Sequence, residues 1–166
     1  DGINNGGELW VKGPNVMLGY IHPDNPGVLE PLKDGWYHTG DVVEIDEIGF
    51  VYIRDRIKRF AKVGGEMVSL NAVHETVVKA FEADGAEWAY GIVAVPHDTK
   101  GEQIVLATNN KKATNDRLHA YIKQNGLPEL YLPRVIVYRD SLPVFATGKA
   151  DNVTLKKEVM AELNIS

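Results

Sequence analysis

Leu9 and Val11 alternate with polar neighbours across residues 8–13, the two-residue period of a half-buried strand. Loops rich in Pro and Gly are expected from there to residue 35. Two strand-like runs, 42–45 and 50–54, flank Asp46-Glu47-Ile48-Gly49, which reads as a hairpin turn. Beyond Arg59 the period lengthens. Asn71 is expected to cap a helix whose Val73, Val77, Val78 and Phe81 recur at helical spacing. The apolar runs 89–95 and 103–108 suit short strands of a covered sheet. Thr114 is expected to cap a second helix, with Leu118, Tyr121 and Ile122 inward and Gly126 ending it. Residues 135–138 read as another strand, and a last helix carries Leu155, Val159, Met160 and Leu163 on one face. Strands first and mixed elements afterwards predict an α+β chain, with a hinge expected in the stretch 54–62.

Composition narrows the chemistry. The chain of 166 residues is 44% hydrophobic, enough to bury a core, and its net charge of −5 argues against nucleic acid as a partner. Without cysteine there are no disulfides, thiolate nucleophiles or Cys-ligated metals, which fits a reducing, cytoplasmic setting. The five histidines show no metal-ligand spacing, so no metal site is expected, and no Gly-x-Ser-x-Gly elbow occurs. No apolar run reaches the roughly 18 residues needed to span a bilayer. The polar start, Asp1 to Gly7, has no signal-peptide pattern and reads as a loop cut from a longer protein.

Three segments can carry chemistry. In Asp34-Gly35-Trp36-Tyr37-His38-Thr39-Gly40-Asp41, a carboxylate just after a glycine is placed to accept a diol such as that of ribose. Asp41 reads equally well as a turn cap. Five cations fall within residues 54–62, at Arg54, Arg56, Lys58, Arg59 and Lys62. They make either a solvated basic surface or a site for phosphates or an acidic partner. Gly64 and Gly65 follow, a turn or a place where a ligand can approach backbone. Lys149 ends Leu142-Pro143-Val144-Phe145-Ala146-Thr147-Gly148-Lys149, a loop able to deliver a cation to an anion, or to leave it in solvent. It lacks the glycine spacing of a Walker loop.

In order, these motifs resemble the C-terminal region of the adenylate-forming superfamily of acyl-CoA synthetases, luciferases and peptide-synthetase adenylation domains. Gly7-Glu8-Leu9-Trp10-Val11-Lys12-Gly13-Pro14 and Met17-Leu18-Gly19-Tyr20 resemble the segment after that family's acyl pocket. Residues 34–41 are similar to its ribose motif, Arg56-Ile57-Lys58 to its hinge, Lys62 to Gly65 to its transfer loop, and Leu142 to Lys149 to its catalytic-lysine loop. The resemblance implies a remnant of a β-barrel subdomain over residues 1–57. A small mobile domain over 58–166 would follow, with a central, roughly three-stranded sheet flanked by helices.

It also implies roles. Asp41 would hold the ribose diol, Arg56 the ribose or phosphate, and Lys58 would be the pivot. Lys62, Gly64 and Gly65 would line the path of the thiol arm, and Lys149 would act in adenylation. ATP with Mg2+ is the implied cofactor, the metal's ligands lying outside this chain. A fatty acid, an upstream adenylation domain, and acyl carrier protein or CoA are the implied partners. The competing class is a non-catalytic docking module that uses the basic hinge. Ser69-Leu70-Asn71-Ala72-Val73-His74-Glu75 and Ala150-Asp151-Asn152 depart from the family's usual sequences. The string Gly65-Glu66-Met67-Val68-Ser69-Leu70 is most similar to the acyl-acyl carrier protein synthetase half of bacterial bifunctional lysophospholipid acyltransferases, whose parent protein is compatible with inner-membrane association and phospholipid metabolism.

Overall fold

The structure, a computed structural model, describes residues 6–165, so residues 1–5 of the expected opening loop lie outside it. The chain divides into two compact units, one ending at Lys58 and the other starting at Arg59.

In the first unit, β1 (Gly7–Val11), β4 (Tyr37–Ile45) and β5 (Val51–Arg56) form an antiparallel sheet in the order β1-β4-β5. The hairpin between β4 and β5 turns where the sequence pattern puts it. Asp46 Oδ1 accepts from the amides of Ile48 and Phe50 at 3.1 and 2.9 Å, and Gly49 takes φ +90°. The amide of Phe50, above all, holds the Asp46 carboxyl below the ordinary carboxylate range. The segment expected to be all loop also contains a small ribbon of β2 (Gly19–Ile21) and β3 (Leu29–Pro31). Gly19 makes the ribbon possible, because a Cβ there would run into the Glu30 carbonyl. Among the described residues no closed barrel forms.

The second unit opens with a hairpin of β6 (Phe60–Val63) and β7 (Glu66–Ser69) and continues into α1 (Leu70–Ala80). Its cap is Ser69, whose Oγ accepts from the Ala72 amide at 3.1 Å, two residues before the expected Asn71. Val73, Val77 and Phe81 are buried as expected, but Val78 is exposed and Thr76 takes the inward place. Its hydroxyl donates to the Ala72 carbonyl and so needs no water.

Next come β8 (Tyr90–His97), β9 (Gly101–Thr108), α2 (Asn115–Gln124), β10 (Val135–Tyr138) and α3 (Asn152–Glu162). The strands β8, β9 and β10 match the three apolar runs. β9 lies between antiparallel β8 and parallel β10, and the β6–β7 hairpin joins through Val63 opposite Gly101. Alternation assigns the core. Ile92, Ala94, Ile104 and Leu106 pack with Val73, Val77, Phe81, Leu118 and Ile122 of α1 and α2. Val93, Val95, Val105 and Ala107 pack with Leu155 and Val159 of α3. The sheet is thus covered on both faces. Thr114 caps α2, and Gly126 follows it at φ +61°.

Candidate functional site

In the first unit, Asp41 stands on β4 because of a bulge. Trp10 pairs with His38 but Glu8 with Val42, so β4 carries two extra residues opposite Leu9. Gly40, at φ +72°, makes that step, and Thr39 pins it: its Oγ1 donates to the Leu9 carbonyl at 2.9 Å and accepts from the Asp41 amide at 3.0 Å. Asp41 then lies directly opposite Arg56 on β5, and Arg56 Nε donates to its Oδ1 at 2.6 Å. The carboxylate raises the Arg56 pKa above its ordinary value. Asp41 Oδ2 makes no hydrogen bond among the described residues, which leaves an acceptor for a hydroxyl-bearing ligand. The stacked rings of Trp10 and His38, 3.7 Å apart between centroids, lie on the same pair of strands.

The basic run is less basic than it reads. Arg54 gives its Nε and Nη2 to Glu44 Oε2 at 2.9 and 2.7 Å, and Arg56 is spent on Asp41. Arg59, in the second unit, donates from Nε to Asn71 Oδ1 at 3.0 Å. Lys58 sits in a 3-10 turn, Ile57–Arg59, where the units meet in sequence.

In the second unit Lys62 is exposed on β6, and Glu102 Oε2 accepts from its backbone amide at 2.8 Å. Gly64 and Gly65 form the two-residue turn between β6 and β7, at φ +61° and +93°. Two consecutive left-handed residues are what this turn requires, so the turn by itself accounts for both glycines. The Gly64 amide donates to the Lys100 carbonyl at 3.0 Å, and a Cβ at either glycine would meet open space. A cleft of about 200 Å³ adjoins this turn, lined by Gly64, Lys100, Arg134 and Glu129 among others.

Lys149 lies on the return arm of a small hairpin. Val144 bridges Ala150, the Phe145 amide donates to the Lys149 carbonyl at 2.8 Å, and Gly148 takes φ +80°. The side chain is exposed. Just beyond, Asp151 Oδ1 caps α3 through the amides of Val153 and Thr154, which explains the acid found after Gly148-Lys149. Asp41 and Arg56 are therefore brought together in one unit, and Lys62, Gly64 and Gly65 in the other, with Lys149 on a separate loop of that second unit. Sequence reasoning missed Thr39, Glu44 and Glu102. The period-2 register across the hairpin at 46–49 was the signal that could have put Arg54 on the same face as Glu44; it gives no partner for Asp41, which meets Arg56 only because the register shifts between Val42 and Val43.

Among the described residues no group of three or more His, Asp or Glu could hold a metal ion, and no helix is long and apolar enough to cross a membrane.

No family model matches the chain. It is 37% identical over 155 residues to a long-chain-fatty-acid–CoA ligase of Yersinia pestis, covering 92% of this chain and 26% of that one. The amide bond synthetase McbA of Marinactinospora thermotolerans is 28% identical with a TM-score of 0.65, over 93% of this chain and 31% of that one. ATP-bound MatB of Rhodopseudomonas palustris is 25% identical with a TM-score of 0.64, over 95% of this chain and 31% of that one. The chain thus spans about a quarter to a third of the length of the proteins that it matches.

Proposed function

We propose a function from the premise that the comparisons support, namely that this chain is a C-terminal region of the AMP-binding, acyl-CoA ligase superfamily. The chain is part of an acyl-activating ligase. The full polypeptide activates a carboxylic acid, a fatty acid by the names of its relatives, with ATP. It then passes the acyl group to a phosphopantetheine thiol. Relatives named as CoA ligases favour CoA over acyl carrier protein, and an amide-forming neighbour shows that acceptors vary among similar folds.

The observation that carries this reading is the Asp41–Arg56 pair on its glycine bulge. A carboxylate with one oxygen fixed by a guanidinium and the other available suits a ribose diol, and the remaining donors of the Arg56 fork would suit a phosphate. Lys149, exposed on a tight turn, would offset charge as the carboxylate attacks the α-phosphate. Lys62 and the Gly64-Gly65 turn would border the thiol arm, and Lys58 would serve as the pivot. Mg2+ would be carried by the phosphates of ATP, with ligands in the rest of the polypeptide. That remainder, an adenylation domain, is the proposed partner, and a cytoplasmic location goes with this reading.

The test is ATP–pyrophosphate exchange with a fatty acid. The full-length polypeptide is expected to catalyse it and the 166-residue chain is not, because no triphosphate-binding loop is present in this sequence. Robust exchange by the chain alone overturns the reading. A docking module built on the basic hinge is disfavoured by the carboxylates that already hold Arg54 and Arg56.

A further inference from the structure

β6 has two edges, and its two neighbours cover them unequally. Along β7 it is matched residue by residue, from Phe60 opposite Ser69 to Val63 opposite Glu66. The two-residue turn makes Val63 and Glu66 a pair that exchanges backbone hydrogen bonds, so the next pair, Lys62 and Met67, does not. The amide and carbonyl of Lys62 therefore point away from β7, towards β9. Among the described residues β9 meets this edge at one position, Val63 opposite Gly101.

Glu102 supplies what the short contact leaves out. Its Oε2 accepts from the Lys62 amide at 2.8 Å, although the two residues are 40 apart in the chain. Gly101 lets the strands come this close, because a Cβ there would stand 3.2 Å from the Lys62 carbonyl oxygen. Nearby, the Gly64 amide donates to the Lys100 carbonyl at 3.0 Å. Lys62 and Gly64 are thus hung from the start of β9, one by a side chain and the other by backbone. The second oxygen of Glu102, Oε1, lies 3.9 Å from Lys156 Nζ on α3. Ala61 and Val63 turn to the core while Lys62, between them, turns to solvent. The backbone at Lys62 therefore sets where its ammonium can reach.

We infer that Glu102 is a positioning residue for the transfer step: its carboxylate fixes the β6 backbone at Lys62, and with it the Lys62 ammonium and the Gly64-Gly65 turn. This rests on the reading of Lys62 and that turn as the border of the thiol arm. What Glu102 holds is a neutral N–H, so the role needs an acceptor at this reach and not a negative charge. The effect is confined to one half-reaction, because Lys149 lies on a separate loop.

The experiment compares Glu102→Ala, Glu102→Gln and Lys156→Ala in the full-length polypeptide. Pyrophosphate exchange measures adenylation, and thioester formation from supplied acyl-adenylate measures transfer. Glu102→Ala should slow transfer by about 10- to 10²-fold, the cost of a small misplacement, and leave adenylation as in the parent. Glu102→Gln, whose amide oxygen can still accept from Lys62, should restore most of the transfer rate. Lys156→Ala should change neither step. If Glu102→Ala does not fold, Glu102→Asp carries the same expectation, since a carboxylate one methylene shorter loses the amide. Loss of both steps alike, loss of neither, or a Glu102→Gln as slow as Glu102→Ala overturns the inference. In the 166-residue chain, hydrogen exchange should show the Lys62 backbone amide losing protection in Glu102→Ala while that of Ala61 keeps it, and unchanged protection at Lys62 also overturns the inference. A full-length parent without pyrophosphate exchange overturns the proposed function instead, and protection of the Lys62 amide then still decides whether Glu102 sets the strand.

Discussion

Arg117 grips Asp84 at two points, Nη1 to Oδ2 at 2.8 Å and Nη2 to Oδ1 at 3.0 Å, and so ties the start of α2 to the turn after α1. Buried Asn110 donates to the same Oδ2 and to the Tyr90 hydroxyl, and the guanidinium lies 5.0 Å over the Phe81 ring. Arg117 first, and Asn110 next, hold the Asp84 carboxyl below its ordinary range.

A folded-state pKa below the unfolded one stabilises fully above the unfolded value, and the benefit is lost as pH falls through the folded value. The loss therefore starts near pH 4, about where an unfolded Asp titrates. Asp84→Asn should melt several degrees lower at pH 7, and its melting temperature should fall less steeply than the parent's below about pH 4. Thermal melts followed by circular dichroism across pH 3 to 7 would check this. Parallel curves would assign the acid sensitivity elsewhere.

On the proposed function, Asp41→Asn in the full-length polypeptide should raise the KM for ATP by about tenfold or more, the effect of losing a charge-assisted hydrogen bond. Arg54→Ala should change it by a few-fold at most, since Arg54 is occupied by Glu44. Pyrophosphate exchange at varied ATP measures both. Equal effects would reduce Asp41 to a residue that merely braces β5.

The two exposed lysines should separate the half-reactions. Lys149→Ala should slow adenylation by about 10²–10³-fold, the usual cost of removing one electrostatic donor. It should leave transfer from supplied acyl-adenylate intact. Lys62→Ala should do the reverse. If Lys149→Ala slows both steps alike, or if Lys62→Ala hits adenylation harder, the roles are wrong.

Gly64→Ala and Gly65→Ala meet no atom within 4 Å, so their cost is backbone strain alone. A left-handed alanine costs about 1–2 kcal/mol, which denaturant unfolding of the 166-residue chain resolves. If a thiol arm passes this turn, transfer should also fall while adenylation does not.

The second unit was legible because its signals are local. Thr114 and Gly126 mark α2 by cap chemistry, and the apolar runs of β8, β9 and β10 need no knowledge of their neighbours. The α1 cap shifted because two competent caps stand two residues apart, and Ser69 is the one that ends β7. The β2–β3 ribbon escaped because three-residue strands containing Gly and Pro carry almost no periodic signal. At the site, the residue types were visible but the pairings were not. Whether Arg54 or Arg56 meets Asp41 is decided by the bulges in β4 and β5, which pattern does not encode. Val78 failed for a simpler reason: a Thr bonded to its own helix can take a buried place that looks reserved for an aliphatic residue.

The two-glycine turn also keeps a reading frame. Lys62 stands opposite Met67, and buried Ala61 opposite Val68, only because the turn between Val63 and Glu66 is two residues long. Side chains alternate strictly along β6, so one residue gained or lost in the turn, compensated by a slip of β6, would exchange the sides of Ala61 and Lys62. The cation would be driven into the core and the alanine into solvent. Length at this turn is therefore as constrained as composition, and relatives that keep the lysine should vary the turn by substitution and not by insertion.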